Sequence, residues 1–137
     1  MKVSSESRRS ESLLGGVFPA GCPSRVVLDH VTSKWGVLVL VALSERTLRW
    51  SELRRRAEGV SEKMLAQTLR TLERDGFVHR DAQPVIPPRV DYSLTDRGRE
   101  LATLLIPLME WILSNADEIL ATGEPSTDTD QPNRTSH

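Results

Sequence analysis

Between Ser51 and Thr95 the hydrophobic periodicity of the chain changes from helical to alternating, in an order that few folds accommodate. Residues 51–57 read as a short helix, Glu58-Gly59-Val60 as a turn, and residues 61–75 as a second, amphipathic helix. In that second helix Leu65, Leu69 and Leu72 fall at i, i+4 and i+7 and form one apolar stripe. Phe77-Val78-His79-Arg80 and Val90-Asp91-Tyr92-Ser93-Leu94 then read as antiparallel strands. The loop between them, residues 83–89, is stiffened by Pro84, Pro87 and Pro88, which cannot donate to a sheet ladder. Two short helices at an angle, with a hairpin after the second, predict a winged helix-turn-helix: mostly α, with a small antiparallel β-hairpin. Such a unit offers one helix to the DNA major groove and the hairpin to the flanking backbone.

The punctuation agrees with this order. Ser51 and Ser61 are good N-caps, Glu52 suits the first turn, and Gly76 suits the left-handed position after a helix. Upstream, Pro23 fits the first turn of a helix with Cys22 just before it, continued by Val26, Val27, His30 and Val31. Residues 35–43 are almost wholly apolar and must be buried. Their β-branched content also fits a strand, but helix is preferred because it completes a tri-helical arrangement. Residues 47–50 are a candidate short strand. Downstream, Thr95 caps the last helical region, and Pro107 should start a new helix or kink a long one.

The chain divides into a Ser/Glu/Arg-rich N-terminal arm (residues 1–21), a folded unit (22–121) and a polar tail without apolar periodicity (122–137). Net charge is -1, which does not advertise a polyanionic partner. From Arg46 to Glu100, however, 12 Lys/Arg face 9 Asp/Glu, a small basic excess that suits phosphate contact from one face. One cysteine precludes an intramolecular disulfide and suits a reducing compartment. No apolar run is long enough to span a bilayer, and residues 13–21 are too short and Gly/Pro-rich for a secretory core. A cytoplasmic protein with no membrane partner is expected.

On the second helix Lys63, Gln67, Arg70 and Arg74 recur at i, i+4, i+7 and i+11, opposite the leucines. Gln can bond bidentately to adenine, and Arg or Lys to guanine. Ser61, Lys63, Gln67 and Thr68, near the N-terminal end, are expected to reach into the groove; Arg70 and Arg74 suit phosphates or intrahelical pairs. An isolated stripe of this kind is commonly a solvated face, here laced with Glu62, Glu73 and Asp75, but the helix-turn-helix-hairpin context favours DNA. Arg89 on the wing and Arg80 at its base are candidates for minor-groove or phosphate contact. Arg80 could instead pair with Asp91. Lys34, before a buried Trp35, and Ser51 complete the set of candidate DNA contacts. Arg54-Arg55-Arg56 reads as a solvated basic run, and Trp35 and Trp50 as core aromatics.

Several linked segments resemble the HxlR-type winged helix-turn-helix regulators. These are Cys22-Pro23 ahead of a helix, Lys34-Trp35, Trp50-Ser51-Glu52-Leu53-Arg54 and Val60-Ser61-Glu62-Lys63-Met64-Leu65. Leu69-Arg70-Thr71-Leu72-Glu73-Arg74-Asp75-Gly76 and Pro87-Pro88-Arg89-Val90-Asp91-Tyr92-Ser93-Leu94-Thr95 continue the match, which covers residues 22–111. Thr32-Ser33 stands where the family commonly has Gly-Gly, and Trp50 where Phe is usual. The resemblance implies a homodimeric bacterial transcription factor, often a repressor, on a roughly palindromic double-stranded DNA operator. It also implies a possible role in electrophile or oxidant sensing for the cysteine matching Cys22.

From the residues alone, Cys22 sits where exposed helix N–H groups and the dipole stabilise a negatively charged sulfur, with Arg25 one turn on. Its partners would be a small thiol, an electrophile or another chain; the competing reading is a small buried hydrophobe. The last helix carries two apolar stripes, Leu101, Leu104, Leu105, Leu108 and Ile112, and Ala102, Ile106, Met109 and Leu113. One can cover the domain's own core; the other suits a twofold interface between terminal helices, with Ile106, Met109, Ile112 and Leu113 as candidates. An enzyme is not expected. The imidazoles available to a Cys22 nucleophile are His30, His79 and His137, on a helix, a strand and a tail. No Gly-rich phosphate loop or metal-spaced cluster calls for a cofactor. The alternative to DNA binding is a winged-helix protein-interaction module.

Overall fold

A computed structural model of the chain describes Pro19 and residues 21–123. The expected N-terminal arm and polar tail lie largely outside the described residues. Helix α1 (Pro23–Val31) starts at Cys22, whose Sγ accepts the Arg25 N–H at 3.4 Å, with Pro23 filling the first position. Helix α2 (Lys34–Glu45) starts at Ser33, whose hydroxyl accepts the Gly36 N–H at 3.1 Å. Residues 35–43, open to strand or helix by composition, are helical, and Val39, Leu40 and Leu43 are buried at the centre of the molecule. Trp35, expected to be buried, is only half-covered and packs at the edge of the core.

Strand β1 (Leu48–Arg49) runs directly into helix α3 (Trp50–Arg56), followed by helix α4 (Glu62–Arg74), strands β2 (Val78–Gln83) and β3 (Arg89–Leu94), and helix α5 (Asp96–Gly123). The sheet is antiparallel in the order β1-β3-β2, with Leu48 opposite Tyr92, Arg49 opposite Asp91 and Arg80 opposite Tyr92. Ser51 was expected to cap the first helix of the pair; instead the helix starts one residue earlier. The reason is local: Arg49 is held in the β1 ladder, and the Glu52 carboxylate accepts its backbone N–H at 2.8 Å, so Ser51 becomes the second helical residue. Ser61 does cap α4, accepting the Met64 N–H at 3.0 Å. Gly59 and Gly76 take positive φ values of 95° and 86° in the turns that open and close α4, where a side chain would be strained.

The core joins α2, α3, α4, the inner face of the sheet and the start of α5. Leu40, Leu48, Leu53, Leu65 and Leu72 are essentially sealed from solvent, each burial contributing about 1.5–3 kcal/mol. Thr95 begins α5: its hydroxyl accepts the Gly98 N–H at 3.0 Å and donates to the Gly76 carbonyl at 2.6 Å, joining the end of α4 to the start of α5. Helix α5 is continuous through Pro107 and runs to Gly123, two residues past the boundary expected at residue 121. No single helix among the described residues is long and apolar enough to cross a membrane. Together α1 and α2 are apolar enough, but they are bent by 68°.

Candidate nucleic-acid interface

The α4 side chains divide as the leucine spacing requires. With Leu65, Leu69 and Leu72 buried, the opposite face carries Lys63, Gln67, Arg70 and Arg74, all exposed. Neither Lys63, Arg70 nor Arg74 is engaged in an ion pair with a described residue, so three cations stand free on one helix face. Neighbouring basic residues are engaged: Arg54 holds Glu62 at 2.9 Å across the helix-turn-helix corner, and Arg56 holds Glu45 at 2.8 Å. The run at residues 54–56, read as a solvated face, is exposed throughout, and Arg54 and Arg56 carry surface ion pairs to α4 and α2. Thr68 is half-buried on the flank of α4 that faces α1, and lines a recess there with Gln67, Asp29 and His30.

Arg80 projects from β2 and shares a recess of about 380 Å³ with Arg70, Glu73, Trp50 and Tyr92. An arginine of the helix and one of the wing thus line one recess, although they stand ten positions apart in the chain. The alternative partner suggested for Arg80 is unavailable, because Asp91 faces Arg89 instead: Arg89 Nε donates to it at 3.1 Å, and Gln83 Nε2 donates at 3.2 Å. Arg89 is accordingly a partly neutralised wing residue. The wing tip presents Ile86, which is 99% exposed and which sequence reasoning missed.

Lys34 is exposed at the start of α2 with its ammonium 4.6 Å from the centroid of the Trp35 ring, a cation–π contact that leaves the charge facing solvent. Its neighbour Ser33 lines the recess beside Gln67, so the N-terminus of α2 lies next to α4. Ser51 is exposed on α3 next to Arg54 and Arg55, and Ser61 uses its oxygen in the cap while its hydroxyl hydrogen remains available. Beside them, the Arg49 N–H holds Glu52 below the ordinary carboxylate range, with Arg46 at 3.5 Å pulling the same way.

Cys22 is half-buried at the start of α1. On α5 the two stripes read from sequence interleave. Gly98, Ala102 and Leu105 face the core, with Leu101 and Ile106 packed beside them, while Leu104, Leu108, Trp111, Ile112 and Leu113 are exposed. Ile106 and Met109 are therefore at least half-covered by the chain itself, and the outward face is set by Leu104, Leu108 and Trp111, spaced i, i+4, i+7. Val26, Val27 and Leu28 on α1, each about 40% exposed, add a second apolar surface that sequence reasoning missed.

Residues 30–119 match the family model described as HxlR-like helix-turn-helix. The chain is 57% identical over 107 residues to an Escherichia coli K12 protein described as an uncharacterized HTH-type transcriptional regulator, YtfH, covering 78% of this chain and 85% of that one. The structure of ytfH from Salmonella typhimurium, described as a transcriptional regulator, superposes with a TM-score of 0.75 at 54% identity, covering 79% of this chain and 96% of its own. The redox regulator HypR in its oxidized form superposes with a TM-score of 0.64 at 37% identity, over 69% of this chain and 97% of its own. With its three-stranded sheet, its winged architecture and this match over most of its length, the chain belongs to the HxlR-like helix-turn-helix family of transcriptional regulators.

Proposed function

We propose that the protein is a cytoplasmic, homodimeric, sequence-specific repressor, with residues 22–121 as its DNA-binding and dimerising unit. The observation that carries the DNA reading is the free cationic stripe of α4. Lys63, Arg70 and Arg74 make no ion pair among the described residues, and Gln67 stands between them as a base-reading amide. Ser61 and Thr68 flank this stripe, Lys34 and Ser51 approach the backbone from either side, and Arg80 and Arg89 reach the sugar-phosphate edge along the wing.

Two copies joined through the outward face of α5, with Ile112 and Leu113 beside Leu104, Leu108 and Trp111, and Ile106 and Met109 at its margin, would bury the apolar surface that a monomer exposes. Such a dimer sets two α4 helices about one turn of DNA apart, with half-site centres on the order of 10 base pairs from each other. Bound across a promoter it excludes polymerase, hence a repressor. Cys22, at the start of a helix that borders α4, suits modification by a small thiol, an electrophile or an oxidant, and HypR, a relative, is described as a redox regulator.

Selection of bound duplexes from a random DNA pool with the purified full chain tests this. Enrichment of a twofold-symmetric sequence with that spacing is expected; a pool that stays random at every salt concentration overturns the reading.

A further inference from the structure

Strands β2 and β3 stay paired out to Gln83 opposite Arg89, so the wing ends in residues 84–88, Pro-Val-Ile-Pro-Pro. All of these are exposed and none has a polar side chain. At their centre Ile86 is 99% exposed, beside Val85 at 47%. One apolar side chain on a surface needs no explanation. An unbroken apolar tip at the far end of a hairpin, where turns are usually polar, does.

This tip has little with which to make polar contacts. Pro84, Pro87 and Pro88 have no N–H, and the Val85 N–H is spent on the Gln83 carbonyl at 2.9 Å. The charges at its base answer one another. Arg89 Nε and Gln83 Nε2 donate to Asp91 at 3.1 Å and 3.2 Å, and Gln83 also donates to Asp81 at 3.2 Å. These bonds brace the end of the hairpin, and the prolines fix φ in the loop above it. Ile86 is thus held out on a support that loses little freedom on binding, and can engage a partner only by shape and apolar contact.

Its position favours the minor groove of a duplex. Arg80, lower on β2, lines one recess with Arg70, which places the root of the wing beside the helix proposed for the major groove. Ile86 lies six residues beyond Arg80, a reach of at most about 20 Å at ~3.3 Å per residue. Half of a DNA turn of roughly 34 Å is about 17 Å, the step from a major groove to the minor groove next to it.

We propose that Ile86 is a wedge: with α4 in the major groove, it enters the adjacent minor groove and partly unstacks one base step, bending the duplex beside each half-site. This rests on the DNA-binding reading above and deepens it. Isoleucine reads no base edge; it selects the step that opens at least cost, and pyrimidine–purine steps (TA, CA) open most readily. The tip carries no charge, so the contact adds specificity without adding to the salt dependence.

The probe is the duplex enriched from the random pool by the full chain, with 2-aminopurine substituted singly for adenines beside each half-site. Wild type, Ile86→Leu, Ile86→Ser and Lys63→Ala are compared for affinity, for 2-aminopurine fluorescence, and for bending read from the gel mobility of circularly permuted fragments. Because residue 86 is fully exposed, serine there leaves the fold intact. Wild type and Ile86→Leu should bend the duplex by about 20° or more and raise fluorescence at one step per half-site. Ile86→Ser should lose both effects and bind about fivefold more weakly, with an unchanged salt slope. An Ile86→Ser complex as bent and as bright as the wild type's, or a straight wild-type complex, overturns the wedge. If Lys63→Ala still weakens binding in that case, the DNA reading stands and the tip is left to a protein partner. Failure to enrich any duplex overturns both.

Discussion

Gly98, in the first turn of α5, lies against the carbonyl oxygen of Phe77, where a Cβ would come within 2.1 Å. The Leu94 side chain closes the same spot at 3.1 Å and could give slightly, but the Phe77 carbonyl cannot yield without moving backbone. Alanine is the better helix former by about 1 kcal/mol, yet here overpacking wins. Gly98→Ala should lower stability by about 2–3 kcal/mol, seen as an earlier urea midpoint with an unchanged slope. An unshifted midpoint would show that α5 is not fixed to the sheet at this point.

Glu52 gives a pH dependence with a defined sign. Its folded-state pKa is depressed by the Arg49 N–H and by Arg46, so its contribution is present above the unfolded carboxylate pKa and fades as pH falls through the folded one. Glu52→Gln should thus be less stable than wild type at pH 7, with the two curves converging at acid pH. Parallel curves across the acid limb would contradict the assignment.

For the recognition helix the discriminating measurement is affinity against salt. Lys63→Ala should weaken all sequences together and flatten the log-affinity against log-salt slope by about 0.9. Gln67→Ala should leave the slope nearly unchanged but lose about 1–3 kcal/mol of preference for the selected operator over its mismatched variants. Because Arg89 already faces Asp91, Arg89→Ala should flatten the slope less than Arg80→Ala does.

Cys22→Ser should retain operator binding and lose any response to diamide or a quinone in a gel-shift titration. A serine variant that responds like wild type would assign the cysteine a packing role only.

Leu104→Glu with Leu108→Glu should convert a dimer to a monomer in light scattering at micromolar concentration. These two residues are 69% and 51% exposed in the single chain, so the substitutions leave its own core intact. A dimer surviving both charges would move the interface elsewhere, with the α1 residues Val26, Val27 and Leu28 next in line.

The architecture was legible because its signals are local. The leucine repeat and the Ser61 and Gly76 boundary signals locate α4 to within a residue, and Thr95 caps α5 as its position suggests. Ser51 failed as a cap because β1 pairs with β3, a contact more than 40 residues away that holds Arg49 extended up to the helix start. The α5 stripes could not be sorted because Leu, Ile and Met occupy several faces of that helix, and spacing alone does not say which face meets the sheet. His30 and Asp75 carry no shared pattern in the sequence; only the fold joins them. Arg89 and Asp91, by contrast, are two apart on one strand and so share a face, a cue that was readable.

Leu105 is the last buried position on α5, yet the helix continues to Gly123, about 27 Å further at roughly 1.5 Å per residue. A solitary helix of that length is marginal in water, and in the proposed dimer the partner's helix would supply the packing that keeps the overhang wound. Dilution of that dimer should unwind the overhang while the wing stays folded, which would make the competent fraction of the protein depend on its own abundance.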